Sequence, residues 1–366
     1  MSEQKRLKDR YKAMPHGSAR VQAIQKAVKK ADEQKDHAWQ IIHRFELADE
    51  LHFYGDCAKT LPIIARATEL FEQEPLESYV YDYLFAFYEA LDVWNEVPQL
   101  SLEQREQVAE KFFYALKRYG YSTSLYHERQ YMQRRREGRF EEAEREYELR
   151  FDEQPGVRQT MSRCKACEQS MRVFHAIYHE NREEAMELAK PLLDGTLSCG
   201  TEPWCALNLL FEFAWSQGNR ADVQFFGERL LQRLAWDPYA QESDVLCCYI
   251  LPHIKEGLKA LERTLPEILQ KWSQRERQDY FQSAWLLLTR AAQTDETLLL
   301  SLPKEFALYR EDGRYNAAEL AQWFYEQALD IAKKFDQRNG YPYYQNQMEK
   351  AGQGLQAMMA QEISNQ

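Results

Sequence analysis

The chain has 366 residues and a formal net charge of −11, with 44% hydrophobic and 29% charged residues but only 14 Gly and 12 Pro. That apolar share excludes a disordered chain, the scarcity of breakers disfavours a β-rich or linker-rich one, and the acidic total argues against general affinity for nucleic acid or anionic membrane. No stretch reaches the ~18 uninterrupted apolar residues of a membrane span. The polar start MSEQKRLKDRYKAMPHG lacks the apolar core of a signal peptide, and seven cysteines with no Asn-X-Ser/Thr triplet fit a reducing cytoplasm.

Charge is uneven along the chain. Residues 1–35 hold ten Lys or Arg against four acids, a local +6, so the remainder sums to −17. Such a segment is either an interaction arm or an end helix with a solvated basic face, and the second is the plainer expectation. Within it Val21, Ile24, Val28 and Ala31 make a 3-4 spaced stripe, one apolar helix face. Trp39, Ile42, Phe45, Ala48 and Leu51 make the next, ended by Tyr54-Gly55-Asp56. Leu61, Ile64, Thr68 and Phe71 follow, ended by Pro75. Helix, Gly-Asp turn, helix, Pro describes a hairpin of two helices.

The grammar is clearest in Glu137-Gly138-Arg139-Phe140-Glu141-Glu142-Ala143, with Pro155 beyond. Gly138 suits the left-handed residue that ends a helix, Phe140 plugs the corner, Ala143 admits close approach, and Pro155 stops the second helix. This run resembles the tetratricopeptide repeat. Looser copies are Asn181-Arg182-Glu183-Glu184-Ala185, Gly218-Asn219-Arg220-Ala221-Asp222-Val223 and Gly313-Arg314-Tyr315-Asn316-Ala317-Ala318. With Gly55, Gly138, Asn181, Gly218 and Gly313 as turn markers, the gaps approximate one or two units of about 40 residues. The helix before Gly138 departs from the family by lacking its Trp and Leu-Gly pair, and Pro62, Pro191, Pro252 and Pro266 kink or shorten several units. The resemblance implies an all-α, right-handed superhelical stack of antiparallel helix pairs without sheet. Its expected parts are a basic segment and first helix over 1–35, repeats over 36–340 and a capping helix over 341–366, entered through Asn339-Gly340-Tyr341-Pro342.

Candidate chemistry is sparse. Cys164-Lys165-Ala166-Cys167 is the single CxxC, and Cys199 and Cys205 follow without a knuckle spacing. Because Cys164, Cys167, Met171, Phe174 and Tyr178 share one helical face, core packing is expected and no metal. His175 and His179 have metal-ligand spacing without the neighbouring Glu of a metalloprotease. Arg134, Arg135, Arg136, Arg139 and Arg145 lie among glutamates that pair with them at helical spacing. The run Tyr79, Tyr81, Tyr83, Phe85, Phe87, Tyr88 reads as a helix apolar nearly all round, with one or two tyrosines left to face a groove. Phosphate-loop, dinucleotide, HExxH and GxSxG motifs are absent, so no catalysis and no cofactor are expected.

What the resemblance implies for function is a module that holds a protein or peptide on a surface lined by the first helix of each unit. Matching to the repeat rhythm assigns Asp49, His52, Glu128, Arg135, Asn208, Glu212 and Trp215 to that lining. The acidic body suits a basic partner, with Arg135 and Asn208 fixing its register. An immunity or antitoxin protein, a peptide-sensing regulator and an assembly scaffold all fit this description. The rival class is an enzyme or nucleic-acid-linked factor acting through the basic N-terminal segment.

Overall fold

The computed structural model describes residues 2–151, 157–158, 161–234, 242–251 and 253–364. The chain is all-α: helix makes up 75% of it. Most helices come as sequential neighbours: α1 (Glu3–Lys12) with α2 (Ser18–Gln34), α3 (His37–Tyr54) with α4 (Thr60–Gln73), and α5 (Val80–Glu96) with α6 (Leu102–Arg118). They continue as α7 (Ser124–Arg136) with α8 (Phe140–Leu149), α9 (Lys165–Tyr178) with α10 (Arg182–Leu193), and α11 (Trp204–Ser216) with α12 (Arg220–Leu234). Then come α13 (Glu242–Tyr249), α14 (Ile254–Ile268), α15 (Gln274–Ala291), α16 (Ala317–Asn339) and α17 (Tyr343–Ser364), the last of these at the position expected of a capping helix.

The chain divides into two compact units. The first comprises 1–162, 272–275 and 338–340; the second comprises 163–271, 276–337 and 341–366. In the first, α3 packs on α2, α4 and α5, and α5 on α6 and α7. Its core joins Phe45, Phe71, Leu84, Phe87, Phe112 and Leu116. In the second, α9 packs on α10 and α11, and α11 on α12 and α17, over a core that includes Val173, Leu210, Phe226, Phe281, Phe324 and Met358. Helices α3, α5 and α9 thus touch both their own partners and the leading helix of the next pair, the contact pattern of stacked hairpins.

A recurring turn makes these hairpins. Gly138 has φ 71°, its N–H donates to Arg135 O at 3.1 Å, and the N–H of Arg139 reaches Arg134 O at 2.9 Å. This is a Schellman ending, which needs a left-handed residue. The same pair of bonds closes α9 at Glu180 (φ 54°) and α11 at Gly218 (φ 64°). Next comes the residue that starts the second helix, Asn181 or Asn219, whose side chain accepts from the N–H of Glu184 or Asp222 at 3.2 Å. Ala143, Ala185 and Val223 then occupy equivalent buried positions. The marker at 181 is therefore the cap, and Glu180 takes the left-handed position one residue earlier.

Several expectations are corrected. Gly55 has an extended backbone (φ −139°). Gly313 is left-handed, but it precedes a strand: β1 (Thr297–Leu299) and β2 (Arg314–Asn316) form a small antiparallel sheet, Leu298 opposite Tyr315. Tyr315 belongs there because its buried ring joins the second core and its hydroxyl accepts from the N–H of Arg310 at 3.0 Å. The segment 1–35 forms two helices, and several of its cations pair with α3: Lys8 and Lys12 with Glu46 at 2.7 and 2.9 Å, Arg20 with Glu50 at 3.1 Å. Pro62 stands in the first turn of α4, while Pro191 and Pro266 lie inside α10 and α14. Pro155 and Pro252 lie outside the described residues.

Candidate functional site

The leading helices of the first unit carry a polar and aromatic face. Helix α5 is nearly apolar all round, as its composition predicts: Val80, Tyr83, Leu84, Phe87, Leu91 and Trp94 are buried. Its remaining positions 81, 82, 85, 88, 89 and 92 fall on one side at helical spacing. Tyr81 is 45% exposed and stacks on Phe85 at 5.9 Å, which stacks on Tyr88 at 5.6 Å. Arg129 of α7 lies over the Tyr88 ring at 3.9 Å and donates to Asp92 Oδ2 at 2.6 Å. Adjacent α3 contributes Asp49, His52 and Phe53, the last 57% exposed.

Within this face sits Glu89, only 3% exposed. Burial first, then the charges of Asp49 and Asp92, a hydrogen bond with Asp49 and the charge of Asp82 push its carboxyl up to about 9. Burial and the neighbours Glu46 and Glu50 raise Asp49, and burial raises Asp82. Glu89 therefore holds a proton at neutral pH and shares it with Asp49. Among the described residues nothing hydrogen-bonds Glu89 Oε1. His52 Nδ1 is likewise buried without a partner among them, and burial lowers the His52 pKa, so its ring is neutral. An unmet buried acceptor costs about 1–3 kcal/mol, so an acid cluster with two unused polar atoms suits a donor arriving from outside, above all a cation.

Of the lining assigned from sequence, Asp49 and His52 belong to this face, and Asn208 and Glu212 lie together on α11 in the second unit with their side chains 3.4 Å apart. Three assignments are corrected. Glu128 is 2% exposed and pairs at 3.5 Å with Arg150, whose side chain is fully buried. Arg135 is 8% exposed, packed over the Tyr131 ring at 5.6 Å. Trp215 is buried beneath α17, its Nε1 donating to Ala351 O at 3.0 Å. The cause is local: a Cβ at Gly354 would lie 2.0 Å from Trp215 O, so that glycine lets α17 close directly over α11. Sequence reasoning missed Glu89, Asp82 and Asp92, although their spacing of seven and then three residues through an aromatic helix was the available signal.

In the arginine cluster Arg134, Arg139 and Arg145 pair with glutamates, as helical spacing suggested, while Arg136 donates to Asn95 Oδ1 at 2.7 Å. Arg134 reaches Glu137 on its own chain turn and Glu106 of α6, both at 3.0 Å. His175 and His179 lie edge to face with centroids 4.6 Å apart. The cysteines differ from expectation. Helix α9 buries Ala166, Ser170, Val173 and Ala176, so the face of Cys164, Cys167 and Met171 is not its core face. Cys164 is exposed, and Cys167 and Cys199 are half-buried. The sulfurs of all three lie within 4.8 Å of one another. Burial pushes the Cys167 thiol up. Cys199 moves down despite its own burial, because the Thr201 hydroxyl and the amides of Thr201 and Glu202 hydrogen-bond its sulfur.

No helix among the described residues is long and apolar enough to cross a membrane. No family model matches the chain, and neither any curated protein nor any solved structure is significantly similar to it.

Proposed function

We propose that this chain is a non-catalytic, tetratricopeptide-like binding module whose first unit holds a basic peptide or protein segment across the leading helices α3, α5 and α7. The observation that carries this reading is Glu89: a buried carboxyl with an unpartnered oxygen, beside Asp49, Asp82 and Asp92 and next to exposed aromatic rings. A guanidinium or ammonium group satisfies every part of this face at once. Its N–H groups donate to Glu89 Oε1, its charge displaces the proton shared with Asp49, and its stem or plane packs on Tyr81 and Phe85. Arg129 already shows the pattern, lying over the Tyr88 ring while paired to Asp92. The acidic body speeds the encounter, and its effect weakens with salt. An immunity protein, a regulator and a scaffold would all use such a surface, and the chemistry of the occupant is common to the three.

Short arginine peptides with aliphatic flanks, compared with their citrulline analogues, test the proposal by fluorescence anisotropy. The arginine form should bind at least about ten-fold more tightly, a difference of about 1.4 kcal/mol. Binding should also release a proton, read by calorimetry in buffers of different ionisation heat. Glu89→Gln and Asp49→Asn should each abolish the preference. Equal affinity for arginine and citrulline peptides would overturn the reading.

A further inference from the structure

Three thiols in the second unit form a cluster that peptide binding by the first does not use. Cys164 immediately precedes α9 and acts as its N-cap, its sulfur accepting the N–H of Cys167 at 3.5 Å. Cys167 stands in the first turn of that helix. Cys199 comes from the loop after α10, its sulfur 3.6 Å from that of Cys167. The Thr201 hydroxyl closes the group, 3.5 Å from the Cys167 sulfur and 3.3 Å from that of Cys199.

We infer that Cys164, Cys167 and Cys199 bind one thiophilic d¹⁰ metal ion, zinc in the first instance, as a three-thiolate site. The geometry is near that of a loaded centre. Zinc–sulfur bonds of about 2.3 Å in a tetrahedron place the sulfurs about 3.8 Å apart. The observed Cys167–Cys199 separation is 3.6 Å, and all three sulfurs lie within 4.8 Å of one another. Covalent pairing accounts for them less well: two sulfurs at 3.6 Å are well beyond a bond of about 2.05 Å, and pairing any two leaves the third unexplained. Core packing is excluded because Cys164 is exposed and the buried face of α9 is the one through Ala166, Ser170 and Val173.

Donors outside the sulfur shell match the same purpose. Thiolate ligands need N–H groups and positive potential around them, since three thiolates on a dication leave one net negative charge. The Cys167 amide supplies this to Cys164, and the amides of Thr201 and Glu202 supply it to Cys199. The start of α9 adds its dipole, and Arg163 and Lys165 flank Cys164 in sequence. Each thiol that coordinates gives its proton to solvent, so loading is favoured by rising pH. With three protein ligands the fourth position is open to water, or to a donor carried by a partner. The metal would tie the loop before α11 to the start of α9.

The test uses the full chain, reduced and freed of metal, then titrated with zinc or cobalt(II). One equivalent should bind with a dissociation constant below about 1 μM, and cobalt should show sulfur-to-metal charge transfer with the intense visible bands of a tetrahedral site. Cys167→Ser and Cys199→Ser should weaken binding about 100-fold while keeping the helical circular dichroism. Should either variant fail to fold, alkylation of the native chain decides. Zinc should protect Cys164, Cys167 and Cys199 from a thiol reagent and leave Cys205 labelling at its metal-free rate. Sub-stoichiometric binding, cobalt spectra without sulfur charge transfer, or alkylation rates that ignore metal would each overturn the inference.

Discussion

Replacing Glu89 by Gln isolates the cost of the buried acid. In the unfolded chain this carboxyl ionises near its ordinary 4.5, whereas in the folded protein burial and the nearby Asp49, Asp92 and Asp82 raise it to about 9. Between those values the folded state holds a proton that the unfolded state has released. Stability therefore falls as pH rises, by about 1.4 kcal/mol per pH unit. Neutral pH lies about 2.5 pH units above 4.5, so the penalty there is about 3 kcal/mol. Gln fills the same volume, keeps a donor for Asp49 and carries no charge in either state. The variant should be more stable than the natural chain by about 3 kcal/mol at pH 7, and by less than about 1 kcal/mol at pH 5. Hydrogen exchange of the α5 amides reads the first unit by itself. Measured from pH 6.5 to 8, the natural chain should lose about 2 kcal/mol and the variant far less, the histidines being common to both. A difference between the two proteins that does not change with pH would refute the reasoning.

Three further outcomes follow from the packing. Glu128→Gln removes a carboxylate that faces the fully buried Arg150 side chain at 3.5 Å; it should lower stability by up to about 3 kcal/mol in denaturant titration and leave basic-peptide affinity unchanged in the folded protein. Gly354→Ala places a methyl 2.0 Å from Trp215 O, so the second unit should lose about 2 kcal/mol and its tryptophan fluorescence should shift. Gly138→Val at φ 71° should lower the denaturation midpoint by more than about 1 kcal/mol equivalent, with Gly138→Asn costing clearly less.

The hairpins were legible because their signals are local. A left-handed glycine, an Asn cap and a small residue five positions after the turn decide one turn and one helix start, and all three can be read within seven residues, as at Gly218, Asn219 and Val223. The site was legible only as far as α3. Asp49 and His52 could be placed by repeat rhythm, whereas Glu128 and Arg135, placed by the same rule, turned inward. Their burial depends on partners distant in sequence, notably Arg150 at 3.5 Å from Glu128. Trp215 illustrates the same limit, since what covers it is α17, and only Gly354, 139 residues later, permits the approach. Periodicity assigned the cysteines to the core because a five-residue apolar face looked more hydrophobic than the Ala166–Ser170–Val173 face that the fold buries. The small residues won because α10 and α11 both pack against α9, and close packing selects short side chains.

A stack of this kind gains stability by adding apolar contacts, and α5 is rich in them, so a carboxyl in its middle works against its own helix. Leu or Met at position 89 would fill the space without charge, and Gln would keep the hydrogen bond. A group that costs about 3 kcal/mol at neutral pH persists in a marginally stable protein when something other than folding uses it. The surroundings indicate what that use is. The neighbours are three aspartates, a neutral histidine, aromatic faces open to solvent, and Arg129, which is already paired with Asp92 over the Tyr88 ring. The carboxylates and the aromatic faces are groups that hold a cation. On the proposed reading, the first unit exchanges a proton for a larger cation, and the cost of the protonated pair is relieved when the cation binds.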